Sequence, residues 1–294
     1  MILVAGIVNV ETTLRVEGFP VDYAKSRFAF HGVSDRLGGV GYNVAAGLAA
    51  LGAGVRLVAT VGGDLAGATI RGELAKLPGL DTSALAEVPG GSLRSVVLVD
   101  PEGAGAIFTD LKDAQDLAFP EDRFEAALDG ATHLHATNIN WAHACAARAR
   151  ERGLPVSTDV QAIGDLLGDA YNRRFLELAD IVFFSGENLG APPGDALAAV
   201  LANYPARLVI CTAGARGVWA AERGAPAIVH QPAPEIDKTP NATGAGDAFA
   251  AGFLRAYRAG GMGLAESLAI GQRVAALRIT THGGRWPGWG ELKG

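Results

Sequence analysis

Short strand-like runs recur along the chain at residues 2–8, 55–61, 133–136, 155–158, 181–184 and 208–211. Most lack the apolar–polar alternation of a half-exposed sheet, so they read as strands buried on both faces. Stretches of ten or more residues separate them, several with helical patterning, such as 44–51 and 268–281. Strands spaced by helices build parallel βαβ units. The pattern therefore predicts an α/β fold: a doubly wound, mainly parallel sheet flanked by helices.

Two stretches fall outside that rhythm. Residues 28–33 are short and aromatic, with turn residues around them, and runs at 95–100 and 106–108 flank a Pro101-Glu102-Gly103 turn. The second reads as a β-hairpin. Together they predict a small separate sheet built from about 14–36 and 93–110, on a single α/β domain spanning 1–294.

Composition narrows the class without naming it. A chain of 294 residues, half of them apolar, can bury one large core. A formal net charge of −6 gives no reason to expect nucleic acid or an anionic membrane surface as partner. No apolar run reaches membrane-spanning length, and Met1 leads directly into a strand without a basic leader, so a cytoplasmic location is expected. Cys145 and Cys211 each lie in apolar surroundings and read as buried free thiols.

Candidate chemistry sits where strands end, because ligands of open α/β sheets bind at strand C-termini. Asn9 and Glu11 follow the first strand. Gly39, Gly41 and Asn43 lead into a helix, where glycines let backbone approach a ligand and the amide offers donor and acceptor. Asn138 and Asn140 follow the strand at 133–136, Asp159 ends that at 155–158, and Thr212, Gly214 and Gly217 follow that at 208–211. His133, His135 and His143 invite a metal reading, but no carboxylate or Cys stands at ligand spacing, and structural roles are expected. Asp64 reads as a helix N-cap.

The most informative stretch is Asn241-Ala242-Thr243-Gly244-Ala245-Gly246-Asp247-Ala248-Phe249. Small residues there allow successive N–H groups to face one anion at a helix start. Asp247 beside them could take a proton from a hydroxyl attacking a phosphate. A tight turn before a core helix fits the same residues. No Gly-Lys-Ser/Thr occurs, against a P-loop enzyme, and no Gly-x-Gly-x-x-Gly follows the first strand, against a Rossmann-type oxidoreductase.

This stretch resembles the C-terminal signature of the ribokinase-like (PfkB) kinases of carbohydrates and nucleosides. Gly38-Gly39-Val40-Gly41-Tyr42-Asn43, followed by Gly52, resembles the N-terminal signature, and Thr212-Ala213-Gly214-Ala215-Arg216-Gly217 the Thr-x-Gly-x-x-Gly element between them. The resemblance implies an ATP- and Mg²⁺-dependent kinase with Asp247 as general base and Gly244, Ala245 and Gly246 forming an anion hole. It implies that Asn9, Glu11, Gly39, Gly41, Asn43 and Asn138 hold the acceptor, and that Thr212, Gly214 and Gly217 hold ATP. The small sheet would be a β-lid closing over the sugar, through which a homodimer could form.

The chain departs from that pattern in places. Glu11 stands for the usual Asp, and Val40 and Tyr42 for Lys, Ala or Arg. Ser185 and Asn188 replace the Asn-x-x-Glu pair that organises magnesium, leaving Glu187 one residue away as the metal candidate. Asn241 replaces an Asp that helps bind a monovalent cation in several relatives, so a potassium requirement is not expected. Three functions remain open at this level: a sugar kinase, a nucleoside kinase favoured by Tyr42, Phe28 and Phe30, and a non-catalytic sugar or nucleotide sensor. A phosphorylated acceptor ranks lower, since it wants a basic pair and Arg94 is the one obvious cation of the lid.

Overall fold

The structure, a computed structural model, describes residues 1–162, 167–236, 243–280 and 285–292. In chain order the first part comprises β1 (Ile2–Ala5), β2 (Asn9–Arg15), β3 (Val33–Gly38), α1 (Val40–Ala50), β4 (Val55–Gly62) and α2 (Leu65–Leu74). Then come β5 (Leu80–Asp81), β6 (Leu85–Val88), β7 (Arg94–Val99), β8 (Gly105–Asp110), α3 (Glu121–Ala127), β9 (His133–Thr137) and α4 (Asn140–Glu151). The last part comprises β10 (Val156–Ala162), α5 (Ala170–Leu176), β11 (Ile181–Ser185), α6 (Pro193–Asn203), β12 (Leu208–Thr212), β13 (Val218–Glu222), β14 (Val229–Gln231), α7 (Ala245–Leu254) and α8 (Leu264–Thr280).

The main sheet runs β14-β13-β12-β11-β10-β9-β1-β4-β5, with β6 also paired to β4. Its pairs are parallel except β12–β13 and β13–β14. Alternation along β1 explains the two helical layers. Ile2 and Val4 face a core shared with Val44 and Leu48 of α1, Ile70 of α2 and Phe253 of α7. Leu3 and Ala5 face the opposite core, with Phe124 of α3 and Trp141 and Cys145 of α4. Residues 248–254 of α7 are all buried, as expected of a helix that is apolar all round, and α7 packs against both α1 and α8. Its first turn is thereby fixed relative to α1.

A second sheet of four strands, β3-β2-β7-β8, stands apart. Here the structure corrects the expected boundaries. The apolar run continues to Val8, but β1 ends at Ala5, and the chain re-enters strand at Asn9 as part of the second sheet. Asn9 and Glu11 are thus strand residues rather than a polar turn. Residues 28–31 form no strand: the chain turns there, with the Gly32 N–H donating to the Ala29 carbonyl, and pairing starts at Val33. Phe28 and Phe30 are exposed and stack on each other, with centroids 6.3 Å apart. The hairpin of β7 and β8 forms around residues 101–103. Asp64 caps α2, accepting from the Gly67 N–H at 2.7 Å.

His133 and His135 lie on β9, fully buried, and both bond the Ser157 hydroxyl, at 2.8 and 2.9 Å. Burial pushes His135 down to about 4 and His133 well below the ordinary histidine value, with the charges of Arg258 and His135 adding to the latter. The unfolded chain binds these protons near the ordinary 6.5, so stability is complete above that pH and declines as pH falls toward 4. From His135 alone the loss between pH 7.5 and pH 5 is about 2 kcal/mol. Urea midpoints of the wild type and His135→Asn at the two pH values test this, and a difference between the two proteins that does not change with pH would refute it.

Candidate active site

The N-terminal turns of α1 and α7 meet through Asn43 and Asp247. Gly244 precedes α7 with φ +80°, a left-handed conformation open to glycine, and no side chain caps the helix. The first-turn N–H groups of a helix have no partner within it, so residues 245–247 present donors and the positive end of the dipole. Asp247 lies in this turn, half-buried. Its Oδ2 accepts a 2.7 Å hydrogen bond from Asn43 Nδ2 on α1. A Cβ on Gly244 would lie 3.6 Å from Asn43 Nδ2 and 3.9 Å from Asp247 Oδ2, so all three line one small space.

Burial raises the Asp247 carboxyl to about 6, against the hydrogen bond from Asn43 and the charge of Arg278 on α8. A second carboxylate stands within reach of its charge. Asp159, near the end of β10 and only 9% exposed, is raised to about 7, first by burial and then by Asp247. The Gln161 N–H, donating to Asp159 at 2.7 Å, works the other way.

The second sheet brings its own polar groups. Glu11 is buried and pairs across β2–β3 with Arg36, whose Nε donates to Glu11 Oε1 at 2.6 Å. Asn9 Nδ2 donates to Ser95 Oγ at 2.5 Å, while its buried Oδ1 has no partner. Gly38 links the two groups, since a Cβ there would meet Asn9 Oδ1 at 2.9 Å and Glu11 Oε2 at 3.1 Å. Gly39 is the N-cap of α1.

The other expected residues are more dispersed. Asn138 accepts from Gln161 at 3.0 Å and donates to Asn172 at 3.3 Å, which ties it to the scaffold. Asn140 is held by Gln115 and Arg174. Thr212 ends β12, Gly214 opens a 3₁₀ turn and Gly217 follows it. Glu187 lies in an exposed turn after β11, its backbone N–H on Ser185 Oγ at 3.3 Å. Among the described residues, no group of three or more His, Cys, Asp or Glu could hold a metal ion. Asn241, Ala242, Gly283 and Gly284 lie outside the described residues.

Sequence reasoning passed over two cations. Arg36 was hidden because the strand was expected at 28–33, although it alternates correctly within 33–38. Arg278 is one of two arginines, with Arg273, in the otherwise largely apolar run of α8, a signal that the helical reading of 268–281 contained but did not use.

A doubly wound α/β sheet, a separate small sheet and a carboxylate at an uncapped helix N-terminus define the class of ribokinase-like kinases. The chain belongs to the pfkB family of carbohydrate kinases, whose match covers residues 1–287, and so to the phosphotransferases with an alcohol acceptor. It is 32% identical over 289 residues to the ATP-dependent ribose-1-phosphate kinase of Halopiger xanaduensis, covering 97% of this chain and 93% of that protein. It is 31% identical over 277 residues to the acarbose 7(IV)-phosphotransferase of an Actinoplanes species, covering 88% and 85%. The solved microbiome-derived acarbose kinase Mak1 superposes with a TM-score of 0.89 at 25% identity, over 99% of this chain and 97% of that one.

Proposed function

We propose that the chain transfers the γ-phosphate of ATP to a hydroxyl of a sugar, with Asp247 as general base. The observation that carries this reading is the Asp247 carboxylate, held by Asn43 beside the uncapped start of α7. As the acceptor oxygen forms its bond to the γ-phosphorus, its proton passes to Asp247 and the bond to the departing ADP breaks. The N–H groups of residues 245–247 take up charge on the transferring phosphoryl. Glu11, Asn9, Gly39, Gly41 and Asn43 hold the acceptor, with Asn138 at the margin. Thr212, Gly214 and Gly217 hold ATP.

Magnesium bound with ATP neutralises phosphate charge and keeps most of its water shell. Asp159 and Asp247, close enough for the charge of Asp247 to raise Asp159, are two carboxylates whose mutual repulsion a hydrated divalent ion would offset. Glu187 is assigned a place in that water shell, from an exposed turn.

The four-stranded sheet is read as the lid. It would exclude water, which competes as phosphoryl acceptor. Val96 and Phe108, paired across β7 and β8, are exposed on one face of it and supply an apolar patch for a homodimer. Phe28 and Phe30 stack on each other and are exposed, which leaves Tyr42 as the one aromatic residue of the three still arguing for a nucleoside acceptor. No helix among the described residues is long and apolar enough to cross a membrane, and a cytoplasmic kinase is the reading adopted.

The test is ADP release from ATP-Mg with ribose, fructose, their phosphates, inositol, acarbose, cytidine, uridine and adenosine. Release with a sugar, lost in Asp247→Asn, is expected. Release with nucleosides alone would overturn the sugar reading, and silence throughout with ATP bound would favour a sensor.

A further inference from the structure

We infer that Ser95 of β7 is a positioning residue, which fixes the Asn9 amide so that the site meets the sugar with two hydrogen-bond acceptors. Such a site selects two neighbouring hydroxyls. The inference rests on the kinase reading above and deepens it.

Its ground is the register of the small sheet. Glu11 pairs with Arg36 on one side and with Ser95 on the other, and Ser95 pairs with Thr109. Side chains of paired residues share a face, so Arg36, Glu11, Ser95 and Thr109 form one polar row across all four strands. Asn9, two residues before Glu11, lies on the same face. The row is buried where it crosses β2 and β7: Asn9, Glu11 and Ser95 are 3%, 8% and 4% exposed.

The hydrogen bonds along the row have a direction. Asn9 Nδ2 donates to Ser95 Oγ at 2.5 Å, which leaves the Ser95 proton for Thr109 Oγ1, 3.1 Å away. With its NH2 group committed, the Asn9 amide turns Oδ1 the other way, and that atom is buried without a partner. On Glu11, both Arg36 contacts fall on Oε1, so Oε2 stays outside the ion pair. These two oxygens converge. The Cβ that Gly38 lacks would stand 2.9 Å from Asn9 Oδ1 and 3.1 Å from Glu11 Oε2. Two acceptors around one point, one of them desolvated, call for donors there, and a pair of sugar hydroxyls supplies them. Gly38 directly precedes the Gly39 N-cap of α1, the helix whose Asn43 holds Asp247, so the point belongs to the same site.

The experiment compares kcat/KM for ribose with its 2-deoxy and 3-deoxy forms, and for fructose with its 3-deoxy and 4-deoxy forms. Calorimetric binding of each sugar to the ATP-free protein is measured in parallel. The wild type should reject at least one deoxy form about 10- to 100-fold, the cost of leaving a buried acceptor unpaired. Ser95→Ala frees the amide to turn. It should raise the KM of the full sugar about 10-fold and that of the rejected deoxy form little, so the discrimination narrows while the KM for ATP holds. Ser95→Thr keeps the hydroxyl and should restore the discrimination. A merely structural Ser95 would weaken both sugars alike, and that result overturns the inference. So does an effect confined to the KM for ATP, or a wild type that uses full and deoxy sugars equally. If Ser95→Ala fails to fold, Ser95→Cys, whose thiol is a weak acceptor of similar size, decides. Absence of turnover with every sugar would sink the kinase reading instead, and the binding ratios would then judge Ser95 alone; a wild type that binds none of these sugars overturns its role as well.

Discussion

Asp247→Asn lowers kcat by roughly 10²–10⁴-fold, the usual contribution of a positioned general base, while ATP binding changes little. The variant keeps size and shape, and its amide oxygen can still accept from Asn43, so the geometry of the α1–α7 junction survives. What it loses is the ability to take a proton. The same role fixes the pH profile of the wild type. With Asp247 raised to about 6, the base is protonated below that pH, and kcat/KM falls on the acid side with a limb near 6. Asp159, raised to about 7 partly by the Asp247 charge, still holds its proton where Asp247 gives its own up, so Asp159→Asn should leave the limb near 6. Steady-state rates from pH 5 to 8 on the three proteins would show it. A full rate in Asp247→Asn would remove that residue from the mechanism, and a limb displaced in Asp159→Asn would assign the limb to Asp159 instead.

The parts of this arrangement that sequence made visible are those written in local chemistry. The run from Gly244 to Asp247 can be read directly, because an N-terminal anion site needs small residues and its base within one turn. The buried strands are equally plain, since parallel sheets covered on both faces require continuous apolar runs. What escaped depends on pairing across distance. β13 and β14 are short, and their antiparallel return leaves little mark in Val218–Glu222 and Val229–Gln231. The shift of strand from 28–31 to Val33–Gly38 concealed Arg36, because alternation shows its cross-strand partner only when the register is right. Asp159 and Asp247 are 88 positions apart in sequence, and their mutual charge exists only after β10 and α7 converge.

Gly41→Ala is expected to cost about 2–3 kcal/mol of stability, the upper range for one methyl forced into a filled space. The added Cβ would stand 2.5 Å from the Gly6 carbonyl carbon and 2.7 Å from its Cα. Neither atom can swing aside as a side chain could. Backbone must move, and the segments concerned are the exit from β1 and the first turn of α1. The Tyr42 N–H bonds the Ile7 carbonyl at 3.1 Å, so the same displacement strains that bond. Asn43 follows on the same turn, and its 2.7 Å contact with Asp247 would lengthen with it. The variant should therefore melt several degrees lower and also lose turnover, at a temperature where it is fully folded. Gly54→Ala, where an added Cβ meets nothing within 4 Å, serves as the comparison. A stable Gly41→Ala with normal turnover would mean that α1 can move off β1 without disturbing Asn43, and the rigid junction between α1 and α7 would no longer explain how Asp247 is held.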